Sequence, residues 1–188
     1  MIPFPNKKYK IIYADPAWRY KDKALAGDRG AGCKYDTMID EEIKQLPVER
    51  LAEKDCFLFM WATWPKLPEQ IQVIKSWGFQ YKTLGFLWVK TNVNNAIKKM
   101  NMGGYTRSNS EPLLLGIKGN PQVIRHDVKQ VYTSIQLEHS EKPNEFRNRI
   151  IQLCGDLPRI ELFARTKVHG WNTWGNDEKL KLEPLESY

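Results

Sequence analysis

Apolar residues in this chain fall into short runs and periodic stripes. Cys56-Phe57-Leu58-Phe59-Met60-Trp61-Ala62 is apolar at successive positions. Both faces of such a strand must be covered, which is the pattern of a central strand beneath helices on each side. Lys10-Ile11-Ile12-Tyr13-Ala14 is a β-prone run that stops at Asp15-Pro16, because proline brings no N–H to the ladder. Further strands are predicted within residues 79–89, over 113–117 and over 159–164. A helix is predicted around residues 40–46, ended by Pro47, and another over 68–77, with Ile71, Ile74 and Trp77 on one face and Gly78 as its stop. A third opens on Pro143, since Phe146, Ile150, Leu153 and Cys154 recur at i, i+4, i+7 and i+8. Strands alternating with helices predict an α/β sheet with helices on both faces. Ligands bind such sheets beyond the carboxyl ends of the strands.

Composition narrows this picture. The 188 residues are 41% hydrophobic and 12% aromatic, enough for one domain, residues 1–188, with a buried core. There is no long apolar run and no secretory leader, so no membrane association is expected. Three widely spaced cysteines, Cys33, Cys56 and Cys154, disfavour a disulfide framework or a zinc site and point to a reducing cytoplasm.

Twenty-nine basic against twenty-two acidic side chains leave a net charge of +7. Their distribution says more than the total. No Asp or Glu occurs between Glu69 and Glu111, whereas Lys75, Lys82, Lys90, Lys98, Lys99 and Arg107 do. The acid-free stretch 70–110 is therefore a candidate polyanion-binding surface, with Lys98, Lys99 and Arg107 as phosphate contacts. A solvated basic face would show the same pattern.

Asp15-Pro16-Ala17-Trp18 lies just beyond the first strand, where a site is expected. A carboxylate, a backbone carbonyl held by proline and an indole suit a flat heteroaromatic amine. Such an amine is a poor nucleophile because its lone pair is delocalised into the ring. Two fixed acceptors that take its hydrogens would help the nitrogen to pyramidalise, and the indole can stack on the ring. An ordinary strand-end turn, with Asp as cap and Trp as packing, is the rival reading of the tetrapeptide alone.

Several blocks in series carry a resemblance. Tyr13-Ala14-Asp15-Pro16-Ala17-Trp18 resembles the ADPPW signature of the MT-A70 family of S-adenosylmethionine-dependent adenine-N6 methyltransferases. Tyr35-Asp36-Thr37-Met38 is similar to the family's Y-x-T-M segment, Phe57 to Trp61 to its FLFLW strand, and Trp88-Val89-Lys90-Thr91-Asn92 to its WVKTN run. Glu111 with the segment through Gly119 resembles E-x-x-L-x-G-x-K-G, and His139-Ser140-Glu141-Lys142-Pro143-Asn144-Glu145 resembles H-S-x-K-P-x-E. Arg159-Ile160-Glu161-Leu162-Phe163-Ala164-Arg165, followed by Gly170-Trp171 and Trp174-Gly175-Asn176, is similar to the C-terminal signature.

The resemblance implies a Rossmann-like methyltransferase sheet with circularly permuted motif order. It implies transfer of a methyl group from S-adenosylmethionine to adenine N6 in nucleic acid, DNA first and RNA second, by in-line displacement without a metal. Asp15 and the Pro16 carbonyl would hold the amino group, with Ala17 completing the motif and Trp18 near the base. Tyr35 would belong to a closing wall over the substrate, on a loop that also holds Gly27, Gly30 and Gly32. Glu111 and Lys142 would line the substrate side. Lys142 would also reach the cofactor, Asp15 would contact it as well, and Phe163, Arg165 and Asn176 would hold the cofactor's ribose and methionine portions. Ala17 departs from the family's second proline, which loosens the backbone where a carbonyl must point at the amine. With no separate recognition domain evident, a homodimer or heterodimer would add grip on the substrate. The alternatives are a catalytically silent nucleic-acid-binding subunit, which the retained Asp15 and Trp18 argue against, and transfer to cytosine N4 or a protein amide, whose signatures place Ser or Asn where Asp15 stands.

Overall fold

The computed structural model describes residues 3–18, 38–94, 96–97, 105–106, 108–135 and 141–175. Seven strands form one sheet: β1 (Tyr9–Ala14), β2 (Ala52–Trp61), β3 (Gln80–Thr91), β4 (Ser110–Lys118), β5 (Val131–Ile135), β6 (Arg159–Leu162) and β7 (Asn172–Trp174). Their order across the sheet is β5-β3-β4-β2-β1-β6-β7, so the doubly apolar run 56–62 lies in the central strand. β1 pairs in parallel with β2 and with β6, β6 with β7, and β3 with β5. β4 is antiparallel to both of its neighbours, β2 and β3. Of the seven strands described, β4 alone therefore runs against the rest. An antiparallel partner needs no crossover helix to reach its neighbour. The reversal brings the first residues of β4 to the edge where the other strands end.

Alternation along β1 and β2 divides the core in two. Ile12, Ala14, Leu58 and Met60 face a layer built by α1 (Asp40–Lys44) and α2 (Leu67–Ser76), through Ile43, Val73, Ile74 and Trp77. Ile11, Tyr13, Phe57, Phe59 and Trp61 face α3 (Glu145–Cys154), through Phe146, Ile150 and Cys154. Helices on both faces are thus observed, and the mixed sheet is of the Rossmann-like α/β type. The strand that ends at Asp15 comes first in the chain and the strand that ends at Phe163 sixth, yet they are sheet neighbours. Gly78, at φ 80°, turns the chain out of α2, and a Cβ there would stand 2.9 Å from the Glu49 side chain. Cys56 and Cys154 are buried free thiols, and burial pushes each up to about 12. Among the described residues no helix is long and apolar enough to cross a membrane.

Some boundaries differ from the sequence reading. α3 begins at Glu145, because the Pro143 carbonyl accepts the Phe146 N–H in a tighter preceding turn. β6 stops at Leu162 rather than Ala164, because Phe163 adopts a left-handed φ of 62°. β5 and β7 had no apolar pattern to announce them. Both are short edge strands, and each pairs with one neighbour in the sheet.

Candidate active site

Asp15 leaves β1 at its carboxyl end, with its N–H directed at the Leu162 carbonyl of β6. The next residues form a tight, hydrogen-bonded turn. The Pro16 carbonyl accepts the Trp18 N–H at 2.9 Å, and the Ala17 carbonyl accepts the Met38 N–H at 2.9 Å. The Met38 bond holds the backbone at the position where Ala17 departs from the family proline. A carbonyl oxygen has two lone pairs, so Pro16 keeps one for a ligand. Trp18 is 5% exposed and packs into the core on the α1 and α2 side. In this structure its ring is a wall behind the turn, not an open stacking platform. A parallel bridge pairs Trp18 with Met38.

Lys142, just before α3, reaches across to this turn. Its Nζ lies 2.9 Å from Asp15 Oδ2 and 3.5 Å from Glu111 Oε2, over the Trp61 ring at 5.3 Å. Glu111 arrives from the amino end of β4, and its other oxygen accepts a hydrogen bond from Lys90 Nζ. Asp15, Lys142, Glu111 and Lys90 thus form a chain of alternating charge. Burial acts to raise the Glu111 carboxyl, but the two lysines outweigh it and hold it below the usual value. Burial likewise works against the Lys142 ammonium; Asp15 and Glu111 more than offset this and keep its pKa raised, while Arg165 opposes them. Arg165 is therefore close enough for its charge to be felt at Lys142. It follows Phe163 beyond β6, and Phe163 packs edge-on against Trp174 at 5.5 Å.

A buried polar layer supports the turn from the α3 side. Trp61 Nε1 donates to Tyr13 Oη at 2.5 Å. Arg147 stands over the Tyr13 ring at 5.4 Å and makes a two-pronged contact with Glu161, at 2.8 and 2.7 Å. Burial pushes the Tyr13 hydroxyl far up, so it stays protonated.

The structure therefore gathers Asp15, Pro16, Ala17, Lys142 and Glu111 at one sheet edge, with Phe163 and Arg165 on the adjoining loop. Tyr35, Lys98, Lys99, Arg107 and Asn176 lie outside the described residues. Lys90 is a correction to the sequence reading. Counted there among the charges of a polyanion surface, it is 7% exposed and committed to Glu111. The WVKTN run held the signal for it, since a lysine near the end of an apolar strand needs a buried partner. Arg147 and Glu161 were also missed; a charged residue on the apolar stripe of α3 was the clue.

Strand order and layering define a Rossmann-like α/β architecture, with the charged turn at the carboxyl edge of its sheet. Residues 9–177 match the MT-A70 family, and the chain belongs to it. It is 36% identical to the Type II methyltransferase M.MunI of Mycoplasma sp, over 95% of this chain and 82% of that protein. Identity to the human N(6)-adenosine-methyltransferase catalytic subunit METTL3 is 30%, over 90% of this chain and 28% of that protein. An N(6)-adenosine-methyltransferase MT-A70-like protein of Arabidopsis thaliana is also 30% identical, and the chain spans 23% of its length.

Proposed function

We propose that residues 1–188 act as a single methyltransferase domain that uses S-adenosylmethionine and modifies adenine N6 in nucleic acid, DNA before RNA. The observation that carries this reading is Asp15 held at the carboxyl end of β1 by Lys142 Nζ, 2.9 Å away, in a chain of this family. DNA is placed first because the chain matches a Type II methyltransferase over 82% of that protein's length, and two adenosine methyltransferases over about a quarter of theirs.

The donor set fits the cofactor. Lys142 and Arg165 would offer cations to its carboxylate, and Asp15 would offer an anion to its positive charge. S-adenosylmethionine supplies an activated methyl group when bound. The rest of the chemistry falls to the protein. Asp15 accepts one hydrogen of the adenine amino group, and the free lone pair of the Pro16 carbonyl accepts the other. The two acceptors draw the nitrogen toward a tetrahedral geometry and free its lone pair, and the carboxylate is placed to keep the proton that the nitrogen sheds. Lys142 stays charged and holds Asp15 in orientation. The target base must leave its stack to reach these groups.

The test incubates the protein with methyl-labelled cofactor and matched DNA and RNA oligomers. Label in N6-methyladenine of the DNA supports the reading, and label in RNA alone reverses the substrate order. Cofactor binding without transfer to either overturns it.

A further inference from the structure

Six of the seven tryptophans are buried, and Trp64 is 42% exposed. Looseness does not explain this exposure. Trp64 opens a one-turn 3-10 helix, Trp64–Lys66, separated from the end of β2 by two residues, with Pro65 stiffening its first turn. The preceding Thr63 N–H is held by Oε1 of the fully buried Gln70 at 2.9 Å, and Gln70 Nε2 returns a bond to Thr63 Oγ1 at 3.3 Å. The indole itself is fixed at its polar edge, where Nε1–H donates to Ser110 Oγ at 3.1 Å. An aromatic ring tied by its N–H and left with open surface has the form of a stacking platform.

Its location says what could stack there. Ser110 is the residue before Glu111, so their Cα atoms are about 3.8 Å apart. Alternation along β4 sends the two side chains to opposite faces of the sheet. Glu111 faces Lys142, while Trp64 stands on the other side of the same strand end. A base seated on Trp64 is therefore not the one being modified.

We propose that Trp64 stacks on a nucleobase adjacent to the target adenine and so steadies the strand from which the target is drawn. This rests on the nucleic-acid reading above. Removing one base from a stack exposes the face of its neighbour, and an indole replaces that lost contact with little dependence on sequence. Trp64 is in this sense a positioning residue.

The experiment uses the full chain with a fluorescent single-stranded adenine-containing oligonucleotide, and compares wild type with Trp64→Ala, Trp64→Phe and Ser110→Ala. Anisotropy should show binding weakened about 5- to 150-fold by Trp64→Ala. Trp64→Phe should retain most of the affinity, and Ser110→Ala should lie between. The oligonucleotide should quench tryptophan emission more in wild type than in Trp64→Phe, and Trp64→Ala should raise KM more than it lowers kcat. Unchanged binding by Trp64→Ala overturns the proposal, as does altered sedimentation with unchanged binding, which would make Trp64 a subunit contact. If wild type binds the oligonucleotide but methylates neither DNA nor RNA, the functional reading falls while the binding comparison still decides the stacking.

Discussion

Lys142 Nζ lies 2.9 Å from Asp15 Oδ2, although 127 positions separate the two residues in the chain. The same ammonium is 3.5 Å from Glu111 Oε2, so one cation holds two carboxylates that come from different strands. This arrangement leaves Asp15 oriented, with its second oxygen available to an amine.

Asp15→Ala removes the acceptor without disturbing a packed apolar group. Methyl transfer should fall by at least about 100-fold. Circular dichroism should stay close to wild type, and the urea midpoint should fall moderately, because Lys142 keeps only Glu111 as a partner carboxylate. Turnover at the wild-type rate in a folded variant would remove Asp15 from the mechanism.

Lys142→Met leaves Asp15 and Glu111 without their shared cation. The folded-state carboxyl of Glu111 lies below its ordinary 4.5. Its ion pairs therefore add stability that is in place above that value and is lost as the pH falls through the lower folded one. Urea midpoints measured from about pH 6 down to about pH 3 should decline for wild type only toward the acid end. In the variant the Glu111 carboxyl moves up, and this acid-linked loss should shrink. Identical pH profiles would mean that Lys142 does not govern Glu111.

The Arg147–Glu161 pair is buried, with Asn144 Oδ1 accepting a further bond from the same guanidinium at 2.6 Å. Arg147→Met strands the Glu161 carboxylate and should cost about 3–5 kcal/mol in urea unfolding. Replacing both, as Arg147→Met with Glu161→Leu, should recover much of that loss, because neither charge is then left alone. A double variant no more stable than the single one would contradict this.

Neutralising Lys98, Lys99 and Arg107 together should weaken nucleic-acid binding and flatten its salt dependence. The slope of log K against log salt should fall by about 0.7 to 0.9 for each phosphate contact removed. An unchanged slope would assign these residues to a solvated face.

The sequence by itself determined the elements that announce themselves locally. The doubly apolar run 56–62 could only be a covered strand, and it lies in the centre of the sheet. The stripe of Phe146, Ile150 and Cys154 could only bury one helix face, and it packs beneath Tyr13 and Trp61. The ordered motif blocks marked Asp15, Glu111 and Lys142 by type. Tertiary structure alone decided how these residues meet. The direction of β4 depends on which strands it pairs with, and it is this reversal that delivers Glu111 to the edge where β1 ends. The burial of Lys90, the Arg147–Glu161 contact and the edge strands β5 and β7 depend likewise on partners distant in sequence. Local periodicity reports how much of an element is buried, whereas a charge pair or a strand register is a property of two segments and has no signature in either one.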